Sequence, residues 1–265
     1  MLINQVEVQR NLFTRAFSAP LVSALLFCHC CAQTLAPMRP PAVPLVAHDP
    51  YFSIWSMADH LSDNNTQHWT GKPNTLIALA RIDGKTYQVM GRDAVPRGRQ
   101  ALPALDQKTL EVLPTRTIYV FSGSGIDLGL TFFTPALPDD LDVLSRPLTY
   151  IEWKASSNDG RPHDVSIYFD ASGDLAVNTA EEPVLSSRYL LDGQPVLRIG
   201  SREQPVLAKR GDDLRIDWGY LYLAADKPDG LNMGAMLRPD ARTEFERSGQ
   251  LPASDDFTEI GRAHV

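Results

Sequence analysis

The chain has 265 residues, 43% hydrophobic and 22% charged, with a formal charge of −7. That is an ordinary globular composition, large enough to bury a core without staples. Net acidity repels phosphate backbones, so nucleic-acid partners are excluded, and 20 prolines with 17 glycines argue for short elements and turns over long helices.

Arg10 and Arg15 precede the apolar run Ala19–Phe27, and Ala32 follows Cys30-Cys31. This is the layout of a secretory signal peptide over residues 1–32, its apolar run too short to span a bilayer. It predicts an exported protein, periplasmic or extracellular, with no membrane span in the mature chain. All three cysteines fall in this segment, so disulfides and thiol chemistry are excluded from the remainder. Residues 33–47 read as a proline-rich, extended lead-in.

The stretch His48–Gly71 gathers Tyr51, Phe52, Trp55 and Trp69 with His48, His60 and His68 around the polar run Ser62–Gln67. It reads as a loop segment, residues 48–75, held by its aromatics on a β scaffold. Trp55, His68 and Trp69 are the candidate substrate-binding residues, at the rim of a pocket. The same residues equally suit core anchors and a histidine tying down its own loop.

Strand patterns follow. Leu76–Ile82 and Lys85–Val89 flank Asp83-Gly84, a strong hairpin signal. Gly91–Gln107 reads as loop. Glu111–Leu113, Thr115–Phe121 and Ile126–Phe132 are strand-like, the last alternating in burial. Pro135–Pro147 is an acidic, proline-rich connection. Leu148–Ala155 and His163–Asp170 form a further pair around Asn158–Gly160. Later strands are expected near Ser187–Leu191, Val196–Ile199, Leu214–Trp218 and Tyr220–Ala225, with one helix at Asp240–Arg247 stopped by Gly249. Some twelve short antiparallel strands predict an all-β fold, a β-sandwich, over residues 48–259. The closing Ile260–Val265 reads as an in-frame translated sequencing adapter.

Chemistry-bearing motifs are sparse. No nucleophile elbow, phosphate loop or zinc-protease pattern occurs. Asp139, Asp140 and Asp142, and likewise Asp170 and Asp174, fit turn chemistry better than an acid–base pair. Asp63, Asn64 and Asn65 offer oxygens to a hard cation, in a spacing that matches no known loop. No catalytic residue, metal ligand or cofactor is assigned.

The blocks PPAVPLVAHDPYFSIWS, HWTG, RIDG, LPTRTIY, TPALPDDLDVLSRPLTYIEW and DVSIYFDASGDLAVN, in this order, resemble the secreted glutaminase A family of fungi and bacteria. The resemblance implies a β-sandwich (supersandwich-like) region that precedes a helical barrel in a longer parent, which would hydrolyse L-glutamine to L-glutamate and ammonia. It implies that the barrel carries the catalytic acids and is this region's partner in the same chain, the small-molecule substrate binding there. This stretch alone is then expected to be inactive. The alternatives are the sandwich of a carbohydrate-active enzyme and a stand-alone extracellular binding module.

Overall fold

The computed structural model describes residues 39–92, 100–225, 232–236 and 238–255, all within the compact unit Pro37–Val265. The expected signal peptide and adapter lie outside these residues, and so does the start of the lead-in.

Twelve strands, all paired antiparallel, form four sheets among the described residues. The expectation of an all-β sandwich holds. The strands β1 (Val43–Asp49) and β2 (Phe52–Ser56) make a two-stranded ribbon. Next, β3 (Leu76–Ile82) lies between β4 (Lys85–Met90) and β9 (Val165–Ala171). A four-stranded meander runs through β5 (Asp106–Leu113), β6 (Arg116–Gly123), β7 (Ile126–Phe133) and β8 (Tyr150–Ser157). The last sheet is β10 (Val184–Leu191), β11 (Gln194–Ser201) and β12 (Leu221–Ala224).

Three hairpins turn on the same local chemistry. Asp83-Gly84, Ser124-Gly125 and Asp192-Gly193 each place two residues at positive φ between the paired strands. A two-residue turn of this kind matches the natural twist of the strands it joins.

Burial explains the layering. On β7, Ile126, Leu128, Leu130 and Phe132 point inward in strict alternation and meet Tyr119 and Phe121 of β6. From β3, Leu76, Ala78, Ala80 and Ile82 enter the same core, whereas Leu79 faces the other way. There it packs with Tyr168 of β9 and with Ala241 and Phe245 of the helix α2 (Arg238–Ser248). The run LIALARI is almost uninterruptedly apolar because both faces of its strand are covered.

Several expectations need correction. The lead-in does not run to residue 47 without an element: β1 begins at Val43, and Val43, Leu45 and Val46 are buried. Pro44 is tolerated there because β1 pairs on one side only, beside a register shift. The loop segment 48–75 accordingly starts within a hairpin. Leu214–Trp218 forms no strand. Arg215 is pulled into the interior by its side chain, and its backbone N–H donates to Asn178 Oδ1 at 3.0 Å instead of to a ladder. The connection 135–147 holds a single helical turn, α1 (Leu141–Leu144), capped by Asp140 through its bond from Val143 N at 3.0 Å. The strand foreseen at 111–113 starts earlier, at Asp106, and the helix foreseen at 240–247 gains a residue or two at each end.

Candidate functional site

The ordered loop 57–75 is pinned mainly by hydrogen bonds. Trp55 and Gln67 exchange both backbone bonds, at 2.8 and 2.9 Å. The buried Thr66 hydroxyl donates to Asn74 O and accepts from Leu76 N, each at 2.7 Å, while Asn74 Nδ2 reaches Ser53 O at 2.9 Å. Leu61, 1% exposed, is the loop's apolar anchor.

The three candidate residues take different places. His68 is fully buried, its Nε2 3.0 Å from Pro50 O and its Nδ1 2.9 Å from Thr70 Oγ1. Burial holds its pKa below the usual 6.5, so it is a neutral structural clip near pH 7. Trp69 is half exposed, and its Nε1 donates to the same Pro50 carbonyl at 2.6 Å. The rings of His68 and Trp69 sit 5.5 Å apart. Trp55 is partly buried, and its Nε1 has no hydrogen-bond partner among the described residues. None of the three lines the large cavity of this fold.

That cavity, about 590 Å³, opens at the other end of the same stretch. Its walls come from His48, Phe52 and Ile54 of the β1–β2 ribbon, from Thr149 just before β8 and Ile151 within it, from Phe169 of β9 and from Trp218–Leu223. His48 stacks on Phe52 with ring centres 6.0 Å apart. Its Nε2 lies 3.2 Å from Thr149 Oγ1, which in turn lies 2.7 Å from Thr134 Oγ1. Burial lowers the pKa of His48, opposed by the neighbouring Asp49. A polar corner is thus set in an apolar, aromatic wall. Sequence reasoning passed over this corner, since Thr149 is 101 positions from His48 and only the approach of the segment before β8 to β1 unites them. The grouping of His48 with Phe52 in one aromatic stretch was the available signal.

Asp63, Asp140 and Asp174 among the acidic candidates serve structure. Asp174 is buried and accepts from Thr75 N and Thr75 Oγ1 at 3.2 and 3.0 Å. Asp63 binds His60, Asn64 Oδ1 accepts from Asn65 N, and Asn65 Oδ1 accepts from Arg92 N. Those oxygens are engaged within the loop or by the backbone just after β4, and no group of His, Cys, Asp or Glu among the described residues has metal-holding geometry.

Comparison with known proteins sets these features in a family. The model of the domain of unknown function DUF5127 matches residues 115–264, more than half of the chain. The chain belongs to the DUF5127 family. A second model, the domain of unknown function DUF4964, matches residues 21–98, which include the β1–β2 ribbon and the β3–β4 hairpin. Among curated proteins this DUF5127 member is 28% identical over 233 residues to "Glutaminase A" of Aspergillus oryzae, covering 85% of this chain and 33% of that protein. It is 23% identical over 242 residues to "Probable glutaminase/05536" of Arthroderma benhamiae, covering 83% of this chain and 27% of that protein. The resemblance to the glutaminase A family therefore holds. The chain spans about a third or less of the length of the curated relatives it matches. No helix among the described residues is long and apolar enough to cross a membrane.

Proposed function

We propose that this chain is the N-terminal, non-catalytic β-sandwich region of an exported, glutaminase-like amide hydrolase. In the longer protein it would support a helical-barrel domain that converts L-glutamine to L-glutamate and ammonia. The observation that carries this reading is the match to Glutaminase A of Aspergillus oryzae over most of this chain but only a third of that protein. The bonds of Asp63, Asp140 and Asp174 within their own fold fit a supporting role, because a hydrolase needs acid and base groups aimed at a substrate. Trp69, half exposed on a loop fixed by His68, would stand at the rim of the active site.

The test compares this chain with the product of the complete gene. Ammonia release from glutamine by the longer protein, and none by this chain, is the expected result. Turnover by this chain unaided would overturn the reading. In the longer protein Trp69→Ala should raise KM with a stability loss under about 1 kcal/mol, and unchanged kinetics would remove the rim role.

A second reading rests on that half-exposed Trp69, since an exposed indole face is also a platform for sugar rings. Under it the longer protein would act on carbohydrate. Reducing-sugar release without ammonia release would select it.

A further inference from the structure

The cavity between the β1–β2 ribbon, β8 and β12 has the size and lining of a small-molecule site. About 590 Å³ lies well within the range of roughly 300–1,000 Å³ usual for ligand pockets. A dry cavity of about 150 Å³ already accepts a benzene ring, so this one has room for two fused rings. Phe52, Phe169, Trp218 and Tyr222 supply flat apolar walls. No lysine or arginine is among the lining residues, which leaves a carboxylate, sulfonate or phosphate without a counter-charge, and the one lining carboxylate, Asp49, is engaged through Oδ1 by Tyr51 N and Phe52 N at 2.7 and 3.0 Å. The polar corner of His48 and Thr149 supplies one hydrogen-bonding point, and His48 Nδ1 makes no hydrogen bond among the described residues.

The geometry points to a binding site for an uncharged, two-ring aromatic or alicyclic compound bearing a single hydroxyl or carbonyl group. The rings fill the space between Phe52 and Trp218, and the polar group bonds at the His48–Thr149 corner. Burial keeps the imidazole neutral near pH 7, which suits a neutral ligand. This proposal does not rest on the amide-hydrolase reading.

The test uses the full 265-residue chain and three probes by isothermal calorimetry: 2-naphthol, naphthalene-2-sulfonate and cellobiose. Saturable 1:1 binding of 2-naphthol is expected, with the sulfonate at least about tenfold weaker because its charge would be buried unpaired. Cellobiose should show no heat. His48→Phe and, separately, Thr149→Val should each weaken 2-naphthol about fivefold, the loss of one hydrogen bond. Ala171→Leu, which adds volume to the wall, should weaken it further. Should Ala171→Leu fail to fold, the His48 and Thr149 variants still decide. Absence of saturable 2-naphthol binding by the folded chain, equal affinity for the sulfonate, preference for cellobiose, or folded His48→Phe and Thr149→Val variants that bind as well as wild type would each overturn the assignment.

Discussion

His163 and Asp83 stand 80 positions apart in the chain, yet Nδ1 of one is 2.7 Å from Oδ2 of the other. On its opposite side the ring's Nε2 is 3.0 Å from Asp159 Oδ1. The imidazolium form donates to both carboxylates, and so the β3–β4 turn is clasped to the loop between β8 and β9. Backbone bonds complete the join: Asp83 Oδ1 accepts from Asp164 N at 2.9 Å, and Asp83 N donates to Asp164 O at 2.9 Å.

A bell-shaped pH dependence follows. The two aspartates raise the pKa of His163 above 6.5, and their bonds to it lower their own below 3.8. The histidine contribution is fully present below pH 6.5 and is lost as pH rises through the raised value. The aspartate contributions are present above pH 3.8 and are lost as pH falls through the lowered values. The clasp is therefore strongest in mildly acidic solution. An NMR titration of His163 should show a midpoint above 6.5, and His163→Gln should flatten the alkaline side of the stability profile. Gly125→Ala should disturb the same clasp. Gly125 sits at φ +80°, and a Cβ there would fall 2.5 Å from His163 Nε2.

Replacing His68 with alanine should destabilise the protein by about 2–3 kcal/mol, since a buried ring is lost and the Pro50 carbonyl and Thr70 hydroxyl lose a partner. Trp69→Ala should cost under about 1 kcal/mol, because half of the ring is already in water and its hydrogen bond lies near the surface. Urea unfolding of both variants checks the order. A larger effect at Trp69 than at His68 would contradict the clip assigned to the histidine.

Arg215 is a heavily used side chain of the interior. Its guanidinium donates to Asn178 O at 2.5 Å, Asn74 Oδ1 at 3.1 Å, Asp174 O at 3.2 Å and Pro73 O. These bonds tie the candidate loop, the 3₁₀ turn at Gly173–Ala176 and the segment before β12 to one point. Arg215→Ala strands several buried carbonyls and should cost about 3 kcal/mol or more. Arg215→Lys should recover little of it, because an ammonium cannot serve a fan of acceptors with the planar fork's geometry. Thermal unfolding of the two variants measures the difference.

Phe245 fixes α2 on the outer face of the β3–β9 pair, with its ring 5.4 Å from that of Tyr168. Phe245→Ala should lower stability by about 3–5 kcal/mol. Hydrogen exchange should then quicken in α2 before it quickens in the β5–β8 meander, whose core lies on the other side of β3.

Hairpins and burial alternation were legible without coordinates. Asp83-Gly84 announced its turn because the positive-φ pair is a local demand of two adjacent residues. The alternation of β7 announced which face is wet because side chains of a strand alternate over two residues. Pro44 misled the reading of β1, since a proline-rich run suits both free extended chain and an edge strand, and only a partner strand distinguishes them. Leu214–Trp218 misled for the opposite reason. Its apolar alternation is real, but the bonding demand of buried Arg215 outweighs the backbone's preference for a ladder.

The candidate site divides along the same line. Trp55, His68 and Trp69 stood out by composition, and composition does not say which way a ring faces. Whether His68 is a reagent or a clip depends on the carbonyl of Pro50, 18 residues away, and whether His48 has a polar partner depends on Thr149, 101 residues away. Residue order along the chain dictated the turns, the strand faces and the family, because those follow from neighbours within a few positions. The cavity, the histidine clasp and the buried arginine knot came only with the packing of distant strands, because burial and hydrogen-bond partners are properties of space and not of spacing.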